Sequence, residues 1–245
     1  MNQYGLVAYN AEQYGKTFFF DTEAPYLSNQ DPAPNSSDVN EASIVRFRLL
    51  DDWAGVDVNS TRIYIDSLLV YDGSTFLPPY DLGSTITQIP RGYEFSISKN
   101  SLWPSWHIVT VRVVGQDIFG NTGDQSYQFR IRDYLGPLVT PIYPTLGQVF
   151  VSVDTNVTVS ITDEQLLQDH TIRVEIDQGH GWEMAYEEDG TPEFKPGWDG
   201  PGSQVEPVSG GVVITIDPML PFPSATTIYV RVTALDSAGN EARLA

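Results

Sequence analysis

The 245-residue chain contains no cysteine. That absence excludes an intersheet disulfide, a thiolate zinc site and a cysteine nucleophile, so any core must hold by packing alone. Histidine is scarce: His107, His170 and His180 are the three copies, and they lack the spacing of a metal-ligating set. Basic residues are few as well, 13 Lys and Arg against 32 Asp and Glu, for a formal net charge of −19. Such a balance disfavours nucleic-acid phosphates and anionic membrane surfaces as partners. The acid is spread along the chain and forms no block tail, which reads as a solvated, self-repelling surface. No apolar run is long enough to span a bilayer. The start, Met1-Asn2-Gln3-Tyr4-Gly5, has neither the cationic nor the apolar stretch of a secretory signal. Nucleophile motifs and phosphate-cradling glycine loops are also missing, and nothing selects one carboxylate pair as an acid–base couple. The expectation is a protein that is not an enzyme, with no cofactor, no catalytic residue and no dedicated metal site.

What is present is a duplication. The phrase Asp117-Ile118-Phe119-Gly120-Asn121 returns as Asp236-Ser237-Ala238-Gly239-Asn240, each time after an alternating apolar segment at 107–114 and 227–234. Asp117 and Asp236 are 119 positions apart, as are Gly92 and Gly211. Earlier landmarks, Asp52 with Asp163 and Asp66 with Asp177, are 111 apart. The second copy therefore carries about eight extra residues between Asp177 and Gly211, expected as a loop elaboration, and loops are where rigid sandwiches gain specific function. A repeat of this length predicts two tandem small β-domains. Val45, Phe47 and Leu49 alternate with Arg46 and Arg48, and Val157, Val159 and Ile161 alternate with Thr158, Ser160 and Thr162. A two-residue period of this kind marks strands with one buried face. Strands are predicted at 43–50, 62–65, 68–71, 93–98, 107–114 and 126–132, then at 138–142, 157–162, 171–177, 182–186, 212–216 and 227–235. No helix is expected.

The predicted organisation is an aromatic arm over 1–23, a first domain over 24–133 and a second over 137–245, with a short linker punctuated by Gly136 and Pro137. Tyr4, Tyr9, Tyr14, Phe18, Phe19 and Phe20 give the arm more apolar area than it can bury against itself, which points to docking on a partner, with packing on its own first domain as the alternative. The Asp-x-x-Gly-Asn phrases are read as turns: Asp117 and Asp236 accept backbone N–H groups, while Gly120, Asn121, Gly239 and Asn240 tolerate a positive φ. Calcium ligation by those aspartates is the competing reading. The acidic stretch Asp51-Asp52-Trp53-Ala54-Gly55-Val56-Asp57, whose counterpart is Asp163-Glu164-Gln165, reads as turn stabilisation and solubility, with a metal site as the weaker alternative. Phe194 and Trp198, on a long loop over 187–210, are candidates for contact with a protein or a sugar ring, against the alternative that Trp198 covers the sandwich end. Trp103 and Trp106, around Pro104, read as a bridge over the core. The last strand of the first copy has a shortened counterpart in the second, which leaves an edge where a neighbouring chain could add a strand.

The Ala24-Pro25 opening, the Asp51-to-Asp57 turn, the Gly92-Tyr93 strand and the Asp-x-x-Gly-Asn closing hairpin resemble bacterial and phage Ig-like domains. The resemblance spans about 220 residues in two copies. The Tyr-Gly-x-x-x-Tyr series of the arm more loosely resembles the leading segment of phage tail-associated proteins. The resemblance implies an all-β fold of two tandem immunoglobulin-like sandwiches behind an extended arm. It implies a non-enzymatic structural component of a virion, in the tail, neck or baseplate region, made in the host cytoplasm and built into a symmetric oligomeric assembly. Its partners would be other virion proteins, met through the arm and the C-terminal strand edge, with host-surface glycan as a further contact. A capsid decoration protein, a bacterial surface adhesin and a carbohydrate-binding accessory module are the alternatives.

Overall fold

A computed structural model describes residues 20–245 of the chain. The chain divides between Arg132 and Asp133 into two units, and the described residues contain strands and no helix.

In the first unit the strands are β1 (Tyr26–Asp31), β2 (Val45–Leu50), β3 (Val56–Ile65), β4 (Leu68–Tyr71), β5 (Thr85–Ile89), β6 (Gly92–Ile97), β7 (Ile108–Asp117) and β8 (Thr122–Arg130). They form two antiparallel sheets in the orders β1-β2-β6-β5 and β4-β3-β7-β8. Lettered in chain order, these are the ABED and C′CFG sheets of an immunoglobulin-type sandwich. The alternation read from the sequence is what closes it. Val45, Phe47 and Leu49 are at most 3% exposed while Arg46 faces solvent. The register of β2 on β6 sets Phe47 opposite Phe95, and their rings stack with centroids 5.3 Å apart. Ile63, Ile65, Val109, Val111 and Phe129 supply the facing layer. Trp103 closes the core as expected of a bridge, 1% exposed with its indole N–H donating to the Ser43 carbonyl at 2.9 Å. Trp106 stays partly exposed beneath the Arg130 guanidinium, 4.3 Å from the ring.

The second unit repeats the plan with β9 (Leu138–Tyr143), β10 (Val157–Thr162), β11 (Arg173–Asp177), β12 (Trp182–Asp189), β13 (Thr191–Phe194), β14 (Gln204–Val208), β15 (Gly211–Ile216), β16 (Tyr229–Thr233) and β17 (Arg243–Leu244). Its sheets run β14-β15-β10-β9-β17 and β13-β12-β11-β16. Val157, Val159, Ile161, Val174, Ile176, Tyr186, Ile214 and Ile216 form its core.

The structure corrects the expected loop over 187–210. The extra residues lengthen β12 and add β13, which pairs with β12 from Tyr186 opposite Phe194 to Asp189 opposite Thr191, and β14 follows. Sequence periodicity also misses β1, β5 and β14. All three are edge strands with mostly exposed or half-exposed side chains, so they carry little apolar alternation to detect.

Phe47→Ala removes a fully buried ring from the first unit and is expected to cost about 3–5 kcal/mol. Chemical denaturation checks it, and a loss below about 1 kcal/mol would contradict the core placement.

Candidate metal centre

One end of each sandwich gathers three aspartates. In the first unit they are Asp21, ahead of β1, Asp51, just past β2, and Asp117, at the end of β7. In the second they are Asp133, Asp163 and Asp236. Within each trio a carboxylate oxygen of every residue lies within 4.8 Å of one from each of the others. The trios are equivalent by register. Asp51 N–H donates to the carbonyl preceding Gly92 at 2.8 Å, and Asp163 N–H donates to the carbonyl preceding Gly211 at 2.9 Å. The counterpart of Asp163 is therefore Asp51, not Asp52, and the early offset is 112 positions. Asp21 and Asp133 share that offset, as do Pro25 and Pro137. The repeat thus begins at an Asp-x-x-x-Pro phrase, and residues 21–23 belong to the first sandwich instead of to a separate arm.

The Asp-x-x-Gly-Asn phrases fold as clamps. Asp117 Oδ1 accepts the Asn121 backbone N–H at 2.8 Å and Oδ2 accepts the Asn121 side-chain amide at 2.6 Å. Asp236 does the same with Asn240, at 2.8 and 2.7 Å. Gly120 and Gly239 take positive φ, 91° and 86°, whereas Asn121 and Asn240 do not. The expectation that Asn supplies conformational freedom is corrected: its amide is used instead. That same amide donates to the Asp21 carbonyl at 3.1 Å in the first unit and to the Asp133 carbonyl at 3.4 Å in the second, tying the lead-in segment to the turn.

The middle aspartates are the most constrained. Asp51 is 1% exposed and its Oδ1 accepts the Trp53 and Gly55 N–H groups at 3.0 and 2.8 Å, while Oδ2 is buried without a hydrogen-bond partner. Asp163 is 9% exposed, with Oδ1 accepting Gln165 N–H at 2.8 Å and Oδ2 again buried and unmatched. Burial pushes the Asp163 carboxyl above the usual carboxylate range; the Gln165 N–H pulls the other way, and the charges of Asp133, Asp236 and Glu164 add to the rise. Asp21 Oδ2 accepts Ala54 N–H at 3.0 Å, bringing the lead-in aspartate onto the Asp51 turn. Among the described residues no Lys, Arg or His pairs with Asp21, Asp51, Asp117, Asp163 or Asp236. The histidines take no part: His107 Nε2 meets Asp66 Oδ2 at 2.8 Å on the surface.

Other expected contact residues fall elsewhere. Tyr4, Tyr9, Tyr14, Phe18 and Phe19 lie outside the described residues, and Phe20 is 58% exposed. Trp198 is not an exposed platform. It is 4% exposed, in the core of the second unit with its ring 6.1 Å from Phe222. The turn that carries it is pinned inward by Trp198 N–H on the Lys195 carbonyl and Gly200 N–H on the Asp217 carbonyl, each at 2.9 Å. Phe194 is half-buried against Tyr186, centroids 5.0 Å apart. The triads were half legible: the turn aspartates stood out, but Asp21 and Asp133 did not, although the shared Asp-x-x-x-Pro spacing was there to find.

A second feature distinguishes the units. In the first, β8 covers the outer edge of β7. In the second, β17 lies parallel on β9 in the opposite sheet, so β16 has no outer strand among the described residues beyond the single Leu235–Glu241 bridge. Val230 is 40% exposed as a result, whereas its counterpart Val111 is 0% exposed.

No protein-family model and no curated protein matches the chain. Among solved structures it is similar to the human desmocollin-1 ectodomain at 14% identity and a TM-score of 0.41, over 96% of this chain and 41% of that one, so it spans under half of that ectodomain. CopC from Methylosinus trichosporium OB3b aligns at 17% identity and 0.32, over 45% of this chain and 95% of that one. The N-terminal Ig1-2 module of a Drosophila receptor protein tyrosine phosphatase aligns at 10% and 0.29, over 91% and 98%. At these values the fold assignment rests on strand order and register, and nothing about function passes across.

Asn121→Ala deletes the amide that holds both Asp117 and the Asp21 carbonyl. Loss of hydrogen bonds to a charged, buried partner should cost the first unit about 1.5–3 kcal/mol in denaturant unfolding.

Proposed function

We propose that the chain is a non-enzymatic structural component of a phage virion, in the tail, neck or baseplate region, whose two Ig-like units bridge or project while other virion proteins dock on them. The observation that carries this reading is the uncovered edge of β16. An unpaired strand offers a row of backbone donors and acceptors, and a protein that keeps one exposed beside a half-open core invites strand addition. The first unit supplies the template for what would fit. There β8 sets Tyr127 opposite Val111 and Phe129 opposite Val109, both rings buried, so the second unit calls for an extended segment with large apolar residues at alternate positions. The net charge of −19 adds a solubilising surface with low attraction for nucleic acid. Residues 1–20 enter this reading as a second point of docking, on the strength of their aromatic content alone.

A glycan-binding reading has lost its platform with the burial of Trp198. Trp182, 44% exposed under the Arg231 guanidinium, is the exposed indole of that unit, and its face is already occupied by the cation.

Immunolabelling of purified particles should find the protein at a defined position, and its absence from particles would end the virion reading. Val230→Lys should lower incorporation at least tenfold, about 1.4 kcal/mol of docking free energy. Leu82→Lys, on an exposed residue of the first unit, should leave incorporation unchanged.

A further inference from the structure

We infer that each unit binds one calcium ion, held by Asp21, Asp51 and Asp117 in the first and by Asp133, Asp163 and Asp236 in the second. Three carboxylates converge at each position, and convergence alone would be ordinary for so acidic a chain. What singles these two out is the state of the middle residue. Asp51 Oδ2 and Asp163 Oδ2 carry no hydrogen bond and belong to residues at least nine-tenths buried, whose carboxylates each lie beside two others. A buried carboxylate oxygen without a partner is destabilising, and crowding it with two like charges raises the cost further. No side-chain cation among the described residues offsets either Asp51 or Asp163. A bound cation would supply the missing partner and neutralise the cluster.

The donors specify the ion. All are oxygens, with no imidazole or thiolate, which selects hard divalent cations over zinc or copper. Calcium forms bonds of about 2.3–2.6 Å to six to eight oxygens in flexible geometry. Donor oxygens within 4.8 Å of one another can close on one such ion with small side-chain adjustments. Magnesium demands a near-ideal octahedron at about 2.0–2.1 Å, which a set drawn from three separate segments is poorly built to provide. The remaining coordination falls to second carboxylate oxygens and water. The Asn121 and Asn240 amides are committed to the neighbouring aspartates, where they orient those carboxylates without displacing the ion.

The arrangement also fixes what the ion would do. In both units one ligand comes from the lead-in segment before the first strand and the other two come from the sandwich proper. The ion is a staple that fastens the entrance of each module to its end. The inference does not depend on the virion reading and would hold for any host assembly.

The test uses the whole 245-residue chain, freed of divalent ions with a chelator and titrated with CaCl2 by calorimetry. Two ions per chain are expected, together with a rise of several degrees in thermal midpoint that EDTA reverses. Asp51→Asn and Asp163→Asn each keep the Oδ1 acceptor used by the backbone, so each should fold and lose one ion per chain. Asp177→Asn, at an exposed turn, should retain both. The proposal is overturned if the unsubstituted, chelator-stripped chain takes up no calcium, if either Asn variant still takes up two ions, or if MgCl2 binds as tightly as CaCl2. Because the first and third outcomes are read on the unaltered protein, a variant that fails to fold does not shield the proposal.

Discussion

Everything in this protein depends on one constraint: two sheet faces must seal against each other with side chains alone. No disulfide crosses between sheets, so the strand register has to bring large residues into contact without help. Phe47 meets Phe95 because β2 pairs with β6 residue for residue, and Ile161 meets its neighbours because β10 pairs with β15 without a slip. A one-residue shift in either pairing would turn the apolar set outward. With the interior given over to packing, polar function can sit only at the ends and edges of the sandwiches, which is where the carboxylate triads and the uncovered β16 are found.

The central strands and the duplication were legible because they obey that constraint openly. Val45, Phe47 and Leu49 advertise a buried face, and the pair of Asp-x-x-Gly-Asn phrases marks equivalent turns. The edge strands were not legible, since β5 and β14 bury too little to leave a pattern. Trp198 misled for a related reason. A tryptophan amid prolines and glycines looks like an exposed tip, yet the carbonyls of Lys195 and Asp217 draw that turn back over the core. Side-chain direction there depends on the backbone hydrogen bond from Gly200 to Asp217, partners 17 positions apart in sequence.

The site was legible in part. Asp117 and Asp236 were visible as turn residues, and their role in the turns is as the phrase suggested. Their convergence with Asp51 and Asp163 depends on β-strand register, which composition does not carry. The one-position misassignment of Asp52 for Asp51 shows how narrow the margin is: neighbouring acids in a strand-end turn point differently, one into the sandwich and the other toward Arg91 on the surface. The hydrogen bond from the backbone of Asp51 to the residue before Gly92 fixes which of the two matches Asp163.

The lead-in aspartates have a practical bearing on where one module ends and the next begins. Pro25 and Pro137 look like natural first residues, yet the carbonyl and carboxylate four positions earlier are already woven into the fold that follows. A second unit excised from Pro137 onward would leave the Asn240 amide without one acceptor and the acidic pocket without a wall. The folded block of the first unit therefore reaches to the residue before Asp133, and a cut placed at the proline severs the contacts that close the second unit.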